Sequence, residues 1–378
     1  MSPATSSLRF LRRNAGSHST TCCATTSSIQ TRFRGPTAGL RVRPSSWLTT
    51  SASRSVCTRA AVPSSRTTAG SSAAAIISSG SRFSYLPTQP PTARGPLPSG
   101  LASYLGVYEP GAPPGYQPVA EFARAACPPG KPPNLVGYYS GWAEPFQTTF
   151  ADQAHAHGAV PFVQIDPTEA SVPAIASGAY DIYLRSYADS VRDYGHAVVI
   201  GFGHEMNTTR YSWGYRHVRP QVFVAAWRHI VTVFRDEGAD NVTWLWTINQ
   251  ETPGSGNIAQ WWPGASYVTW VGIDGYYYRP TDTFAKVFGT TITQVRIFSD
   301  KPILLSETAV GPVSGQFAKI NNLFDGIRRY KTLGLVWFDI AQSDGILHQD
   351  WRIENSQPAR AAFRLGVSTL TLARPSSR

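Results

Sequence analysis

Residues 101–367 predict a (β/α)8 barrel. Three observations carry that prediction: eight short apolar runs, helical segments between them, and the lack of a glycine-rich phosphate turn after an early run. The runs are SYLGVY (103–108), NLVGYY (134–139), AVPFVQI (159–165), AVVIGFG (197–203), VTWLWTI (242–248), VTWVGI (268–273), PILLS (302–306) and GLVWFDI (334–340). Each is nearly continuous rather than alternating, which is the pattern of parallel strands covered on both faces. Eight such strands over about 265 residues fit the usual barrel size of ~250. A doubly wound open sheet would normally carry the missing phosphate turn.

The connecting segments have helical period. RPQVFVAAWRHIVTVFRDEG (219–238) places Pro220 at its start and Gly238 at its stop, with apolar residues at helical spacing between them. DIYLRSYADSVRDYG (181–195) reads the same way. So does QFAKINNLFDGIRRYKTLG (316–334), which sets basic residues in its last turns to complement the helix dipole.

Charge divides the chain. The net charge is +11. Residues 1–100 hold twelve arginines and no Lys, Asp or Glu, so the remaining residues carry a net of −1. The basic isoelectric point therefore belongs to the first hundred residues, and a nucleic-acid reading of the body loses its main support. Rich in Ser, Thr, Ala, Arg and Pro, that segment reads as a disordered tail, with a targeting segment, a linker and a misassigned start as the alternatives. Arg12-Arg13 suggests a twin-arginine signal, but no apolar stretch of the needed length follows. Residues 368–378 read as a short second tail, and no run reaches the ~20 apolar residues of a membrane-spanning helix. Cys22, Cys23 and Cys57 fall in the first tail and only Cys127 in the body, which excludes a disulfide framework or a metal-type CxxC.

In a barrel of this kind the chemistry sits at the C-terminal strand ends. Those ends carry Tyr108-Glu109, Tyr139 to Trp142, Gln164 and Asp166, and His204-Glu205-Met206-Asn207. Asn249-Gln250, Asp274-Gly275-Tyr276, Ser306-Glu307-Thr308 and Trp337 to Asp339 follow on the later strands. Two glutamates come directly after apolar runs, and burying a carboxylate is costly unless it is paired or used. Two carboxyls converging in an aromatic cleft suggest glycoside hydrolysis, one protonating the departing oxygen and the other staying ionised. Trp and Tyr offer faces for sugar rings to stack on, and ten of the eleven tryptophans lie in the body.

Plainer readings stand beside these. Glu205 at a strand end can simply meet water, and Glu307 can close a salt bridge at the barrel mouth. Trp227, Trp244, Trp246 and Trp270 lie within a helix or strands and read as core. His155 and His157 read as solvated. A zinc-protease HExxH would need histidine at 208, which is Thr208. The glycosylation-type triplets at 207–209 and 241–243 are too common a pattern to carry weight.

GFGHEMN, GIDGYYY, PILLSETAV and the closing VWFD resemble glycoside hydrolase family 26, the β-mannanase family of the clan with catalytic glutamates on strands four and seven. The resemblance spans 101–367. It implies a retaining mechanism with two glutamates about 5–5.5 Å apart, Glu205 as acid/base and Glu307 as nucleophile. It further implies that His204 orients the site, that Tyr276 hydrogen-bonds Glu307 and keeps it ionised, and that Trp337 is the stacking floor beneath the attacked sugar. Asn207, Tyr211, Trp213 and Trp142 are the remaining expected substrate contacts. The sequence departs from the family pattern at Thr208, where glycine is common, and at Arg210, where an aromatic is usual.

The expected activity is that of a retaining endo-β-glycanase with β-1,4-mannan as first substrate. β-1,3-Xylan and mixed-linkage β-glucan are the alternatives, as is a polysaccharide-binding protein without turnover. The expected partner is a polysaccharide, with no nucleic acid and no membrane insertion. No cofactor and no metal are implied, because the carboxyls transfer protons themselves. A polymeric substrate implies a secreted or cell-surface protein.

Overall fold

The computed structural model describes residues 95–252, 254–342 and 349–374. Eight parallel strands close into a barrel in sequence order, β1 pairing with both β2 and β8. They are β1 (Tyr104–Tyr108), β2 (Leu135–Gly141), β3 (Val160–Asp166) and β4 (Val198–Phe202). β5 (Val242–Asn249), β6 (Trp270–Asp274), β7 (Ile303–Thr308) and β8 (Gly334–Phe338) complete it. All eight predicted runs are strands.

Helices cover the outside: α1 (Gln117–Ala126), α2 (Thr148–Ala156), α3 (Val172–Ala176), α4 (Asp181–Tyr194) and α5 (Pro220–Asp236). α6 (Thr290–Phe298), α7 (Gln316–Arg329) and α8 (Gln357–Ser368) follow. Gly195 ends α4 at φ +73°, in the left-handed region where glycine has no Cβ penalty. The strands are buried on both faces, which is why their sequences are continuous rather than alternating.

Two apolar layers follow from this. Inside the barrel, Tyr104, Leu135, Val160, Phe162, Val199, Leu245, Trp270, Leu304 and Val336 pack together. Outside it, the other strand faces meet the helices, and Trp227, Trp244 and Trp246 lie there as core. Gly137 on β2 permits a close approach: a Cβ would stand 2.5 Å from the Tyr108 ring, which stacks on Tyr139 at 5.1 Å.

The packed body reaches further than the sequence boundaries. Leu97 plugs the barrel interior, Tyr104 donates to the Pro98 carbonyl, and Trp270 Nε1 donates to Ser99. At the other end Leu370 is buried, and the amides of Thr371 and Ala373 donate to Ala102 and Ser103. Both segments are irregular, so no period marks them. The tail expected over residues 1–100 lies, up to residue 94, outside the described residues, as do Cys22, Cys23 and Cys57. Cys127 is buried, and burial pushes its thiol up to about 12. His157 is exposed as expected, stacked on Tyr116, whereas His155 is half-buried against His196 at 3.7 Å. Among the described residues no helix is long and apolar enough to cross a membrane.

Candidate active site

The strand ends converge on three carboxyls. One oxygen from each of Glu205, Asp274 and Glu307 lies within 4.8 Å of the other two, and all three residues are buried. Beneath them a polar layer replaces the apolar interior: Gln164 Nε2 donates to Thr247 Oγ1 at 2.8 Å, and Ser306 Oγ to Asp274 Oδ1 at 2.5 Å.

Glu205 follows β4 in a turn that takes left-handed backbone twice, at Gly203 (φ +55°) and at Glu205 itself (φ +52°). For a long L side chain that conformation is strained, and such strain persists only where surrounding structure enforces it. The enforcement is visible. The Glu205 amide donates to the Thr247 carbonyl at 3.0 Å, and a Cβ at Gly203 would meet Phe223 at 2.9 Å. Glu205 Oε1 accepts from Asn249 Nδ2 at 2.5 Å and Oε2 from Arg210 Nη1 at 3.1 Å.

Glu307 is placed by a bulge. β6 and β7 pair Gly272 with Leu304 and then Asp274 with Glu307, so β7 spends one extra residue there. Against β8 the same shift recurs between Leu305 and Thr308. Leu304 points inward and Leu305 outward. Plain alternation would then send Glu307 outward after Ser306, and the extra residue turns both into the site. Tyr139 donates its hydroxyl to Glu307 Oε1, and Tyr276 donates to Oε2 at 2.5 Å.

Burial pushes Glu307 above the usual carboxylate range; the charge of His204 and the two phenol donors pull against this, and Glu205 adds to it. The expected hydrogen bond from Tyr276 is present and favours the ionised form, as does that from Tyr139, while desolvation is the larger influence. Asp274 is raised well above its ordinary value by burial and by the charges of Glu307 and Glu205. Its Oδ1 accepts from Ser306, and its Oδ2 has no hydrogen-bond partner, so burial and the neighbouring carboxylates both favour its neutral form.

His204 sits behind the pair. Its Nδ1 faces Asp166 Oδ1 at 2.8 Å and its Nε2 faces the Tyr211 hydroxyl at 3.0 Å. Burial pulls its pKa down, but the charge and hydrogen bond of Asp166, with Glu307 and Glu205 nearby, lift it to about 9. The imidazole thus meets a carboxylate on one ring nitrogen and a phenol on the other, and that carboxylate favours its protonated form. Tyr211 is half-buried and stacks on Trp213 at 4.6 Å, while Trp213 Nε1 donates to the His204 carbonyl.

Four expected contacts lie elsewhere. Trp337 is fully buried and faces outward against Phe363 of α8 at 5.0 Å, its Nε1 donating to Asp339 and to the Trp351 carbonyl. Strand alternation explains this correction: Val336 and Phe338 take the inward positions, and half-buried Phe338 lies against Tyr108 and Tyr276. Asn207 is also fully buried, exchanging two hydrogen bonds with the Asn249 backbone, so it braces Asn249 rather than meeting a ligand. Trp142 is buried, wedged among Tyr180, Tyr183 and Phe202. Trp213 is 4 % exposed and supports Tyr211 from behind. Sequence reasoning missed Tyr139, Asp166, Asn249 and Asp274 as site members. Each stands at a strand end, and that position was the available signal.

The three carboxyls are the only group among the described residues with spacing suited to a cation. Five of their six oxygens accept, from an amide, a guanidinium, two phenols and a serine, and only Asp274 Oδ2 has no partner.

A closed parallel barrel with two facing glutamates at the ends of its fourth and seventh strands is the architecture of a glycoside-hydrolase domain. The chain belongs to glycosyl hydrolase family 26, whose model matches residues 169–366. It is 30% identical over 255 residues to endoglucanase H of Acetivibrio thermocellus, a match covering 63% of this chain and 28% of that protein. A β-1,3-xylanase of a Vibrio species is 25% identical over 113 residues, 29% of this chain and 23% of that protein. The chain thus spans about a quarter of the length of the curated relatives it matches. In fold it is similar to a double mutant of the Cellulomonas fimi endo-β-1,4-mannanase, with a TM-score of 0.57, 16% identity, and coverage of 73% of this chain and 72% of that one.

Proposed function

We propose that the protein is a retaining endo-β-glycanase acting on β-1,4-mannan-type polysaccharide. One observation carries the mechanistic part of this reading: carboxyl oxygens of Glu205 and Glu307 lie within 4.8 Å. Retaining glycosidases hold their carboxyls ~5–5.5 Å apart, whereas inverting ones need ~6.5–9.5 Å to admit a water. Glu307, aimed by Tyr139 and Tyr276, attacks the anomeric carbon. Glu205 protonates the departing oxygen and then, once Glu307 is esterified and uncharged, takes a proton from the incoming water. His204, held cationic by Asp166, favours the ionised form of Glu307. Phe338 and Tyr276 offer the apolar surface beside the attacked sugar. A polymer substrate implies that the protein works outside the cytoplasm.

A β-glucan is the second reading, favoured by the 30% identity to an endoglucanase. The test is reducing-end release by the full chain from β-1,4-mannan, mixed-linkage β-glucan and β-1,3-xylan, with Glu205→Gln and Glu307→Gln alongside. Release from mannan that both variants abolish supports the proposal. Release from glucan alone moves the substrate to the second reading, and binding without release from any polymer sinks the catalytic claim.

A further inference from the structure

Arg210 is the residue that the catalytic cycle leaves without a task. It lies on the loop between β4 and α5, its side chain 56% exposed, yet it reaches in to Glu205, whose side chain is 2% exposed. Arg210 Nη1 donates to Glu205 Oε2 at 3.1 Å while Asn249 holds Oε1, so both oxygens of the proposed proton donor are occupied. The guanidinium also lies 5.9 Å from the centre of the Tyr211 ring. A guanidinium carries five N–H donors in a planar fork. Glu205 takes one of them, and more than half of the Arg210 side chain stays open to solvent beside Glu205 and Tyr211.

Direction gives this meaning. On the proposed mechanism, which this inference rests on, Glu205 addresses the glycosidic oxygen from the leaving-group side. A cation beside Glu205 then stands where the departing sugar's substituents pass. We propose that Arg210 determines specificity by recognising an anionic group, a carboxylate or an ester of comparable charge, on the sugar that leaves. In the free protein Arg210 is latched to Glu205 Oε2. A carboxylate on the substrate offers the fork a bidentate partner, which a single Nη1 contact does not. Drawing Arg210 across to the substrate frees Oε2 to carry the proton that catalysis needs. The preferred polymer is thus a β-glycan bearing uronate-type sugars rather than a wholly neutral one.

The test compares β-mannan with the same polymer after oxidation of its primary alcohols to carboxylates. Binding is measured by calorimetry on the full chain carrying Glu307→Gln, which separates recognition from turnover. The oxidised polymer is expected to bind roughly ten-fold or more tightly, the scale of one charge-assisted hydrogen bond. The preference should shrink as salt is raised, because the guanidinium is half exposed. Adding Arg210→Met should bring the ratio to parity, and Arg210→Lys should keep part of it. Equal binding of the two polymers, or a preference that survives Arg210→Met, overturns the proposal. Hydrolysis of neutral mannan by the parent chain is read separately: its failure strikes the proposed reaction, and the binding ratio still decides the role of Arg210.

Discussion

The two glutamates sit within 4.8 Å of each other in different chemical surroundings. Glu205 is reached by nitrogen donors, an amide and a guanidinium, on a strained left-handed turn. Glu307 is reached by two phenols at a bulge inside a strand, with burial opposing its charge. The contrast teaches that one barrel mouth separates two carboxyls by their donors as much as by depth. On the proposed mechanism, a phenol fixed by ring stacking aims the nucleophile. An exposed arginine can leave, and so suits a group whose proton must come and go.

The largest expected effect breaks the pair asymmetrically. Glu307→Gln should abolish turnover of polymers and of activated aryl glycosides alike, because no nucleophile remains. Glu205→Gln should cost polymers about 10²–10⁴-fold, yet still release an activated phenol in a burst, since that leaving group needs no proton. Equal losses on both substrates would deny the division of roles.

Next in size are the phenols. Tyr276→Phe and Tyr139→Phe each remove a donor that favours ionised Glu307, so its pKa should rise further. The acid limb of the kcat/KM profile should then move to higher pH, with kcat reduced about ten-fold or more. An unmoved limb would mean that another group sets it.

A smaller effect concerns the cation behind the pair. His204 ordinarily titrates near 6.5 and is lifted to about 9 when folded. Its raised value contributes stability that is complete below pH 6.5 and is lost as pH climbs through 9. The melting temperature of Asp166→Asn should therefore fall furthest below the parent near pH 6, and the gap should narrow by pH 10. A gap constant with pH would contradict a protonated His204.

The smallest effect tests the outward tryptophan. Trp337→Phe should lower stability by about 1–3 kcal/mol and leave KM for polymer unchanged, whereas Phe338→Ala should raise KM. A reversed pattern would restore Trp337 to the cleft.

These residues also show what could be read from the chain. The eight strands were legible because burial on both faces writes itself as continuous apolar runs, and Glu205 and Glu307 because each interrupts such a run with a charge. Trp337 was misread because strand parity decides which neighbour faces the cleft, and nothing in GLVWF marks the parity. The bulge that turns Glu307 inward was hidden for the same reason: it exists in the pairing of β7 with β6 and β8, not in either strand alone. Asp166 and Asn249 gain their meaning only from partners 38 and 44 residues away.

The central claim is that Glu307 and Glu205 act together by double displacement. The most direct test is the anomeric form of the first reducing ends released, followed by proton NMR before mutarotation, from whichever polymer the full chain cleaves. The account predicts that the β-anomer appears first and the α-anomer grows in later. An α-anomer first would require a water between the carboxyls, and would contradict the placement of Glu307 as nucleophile.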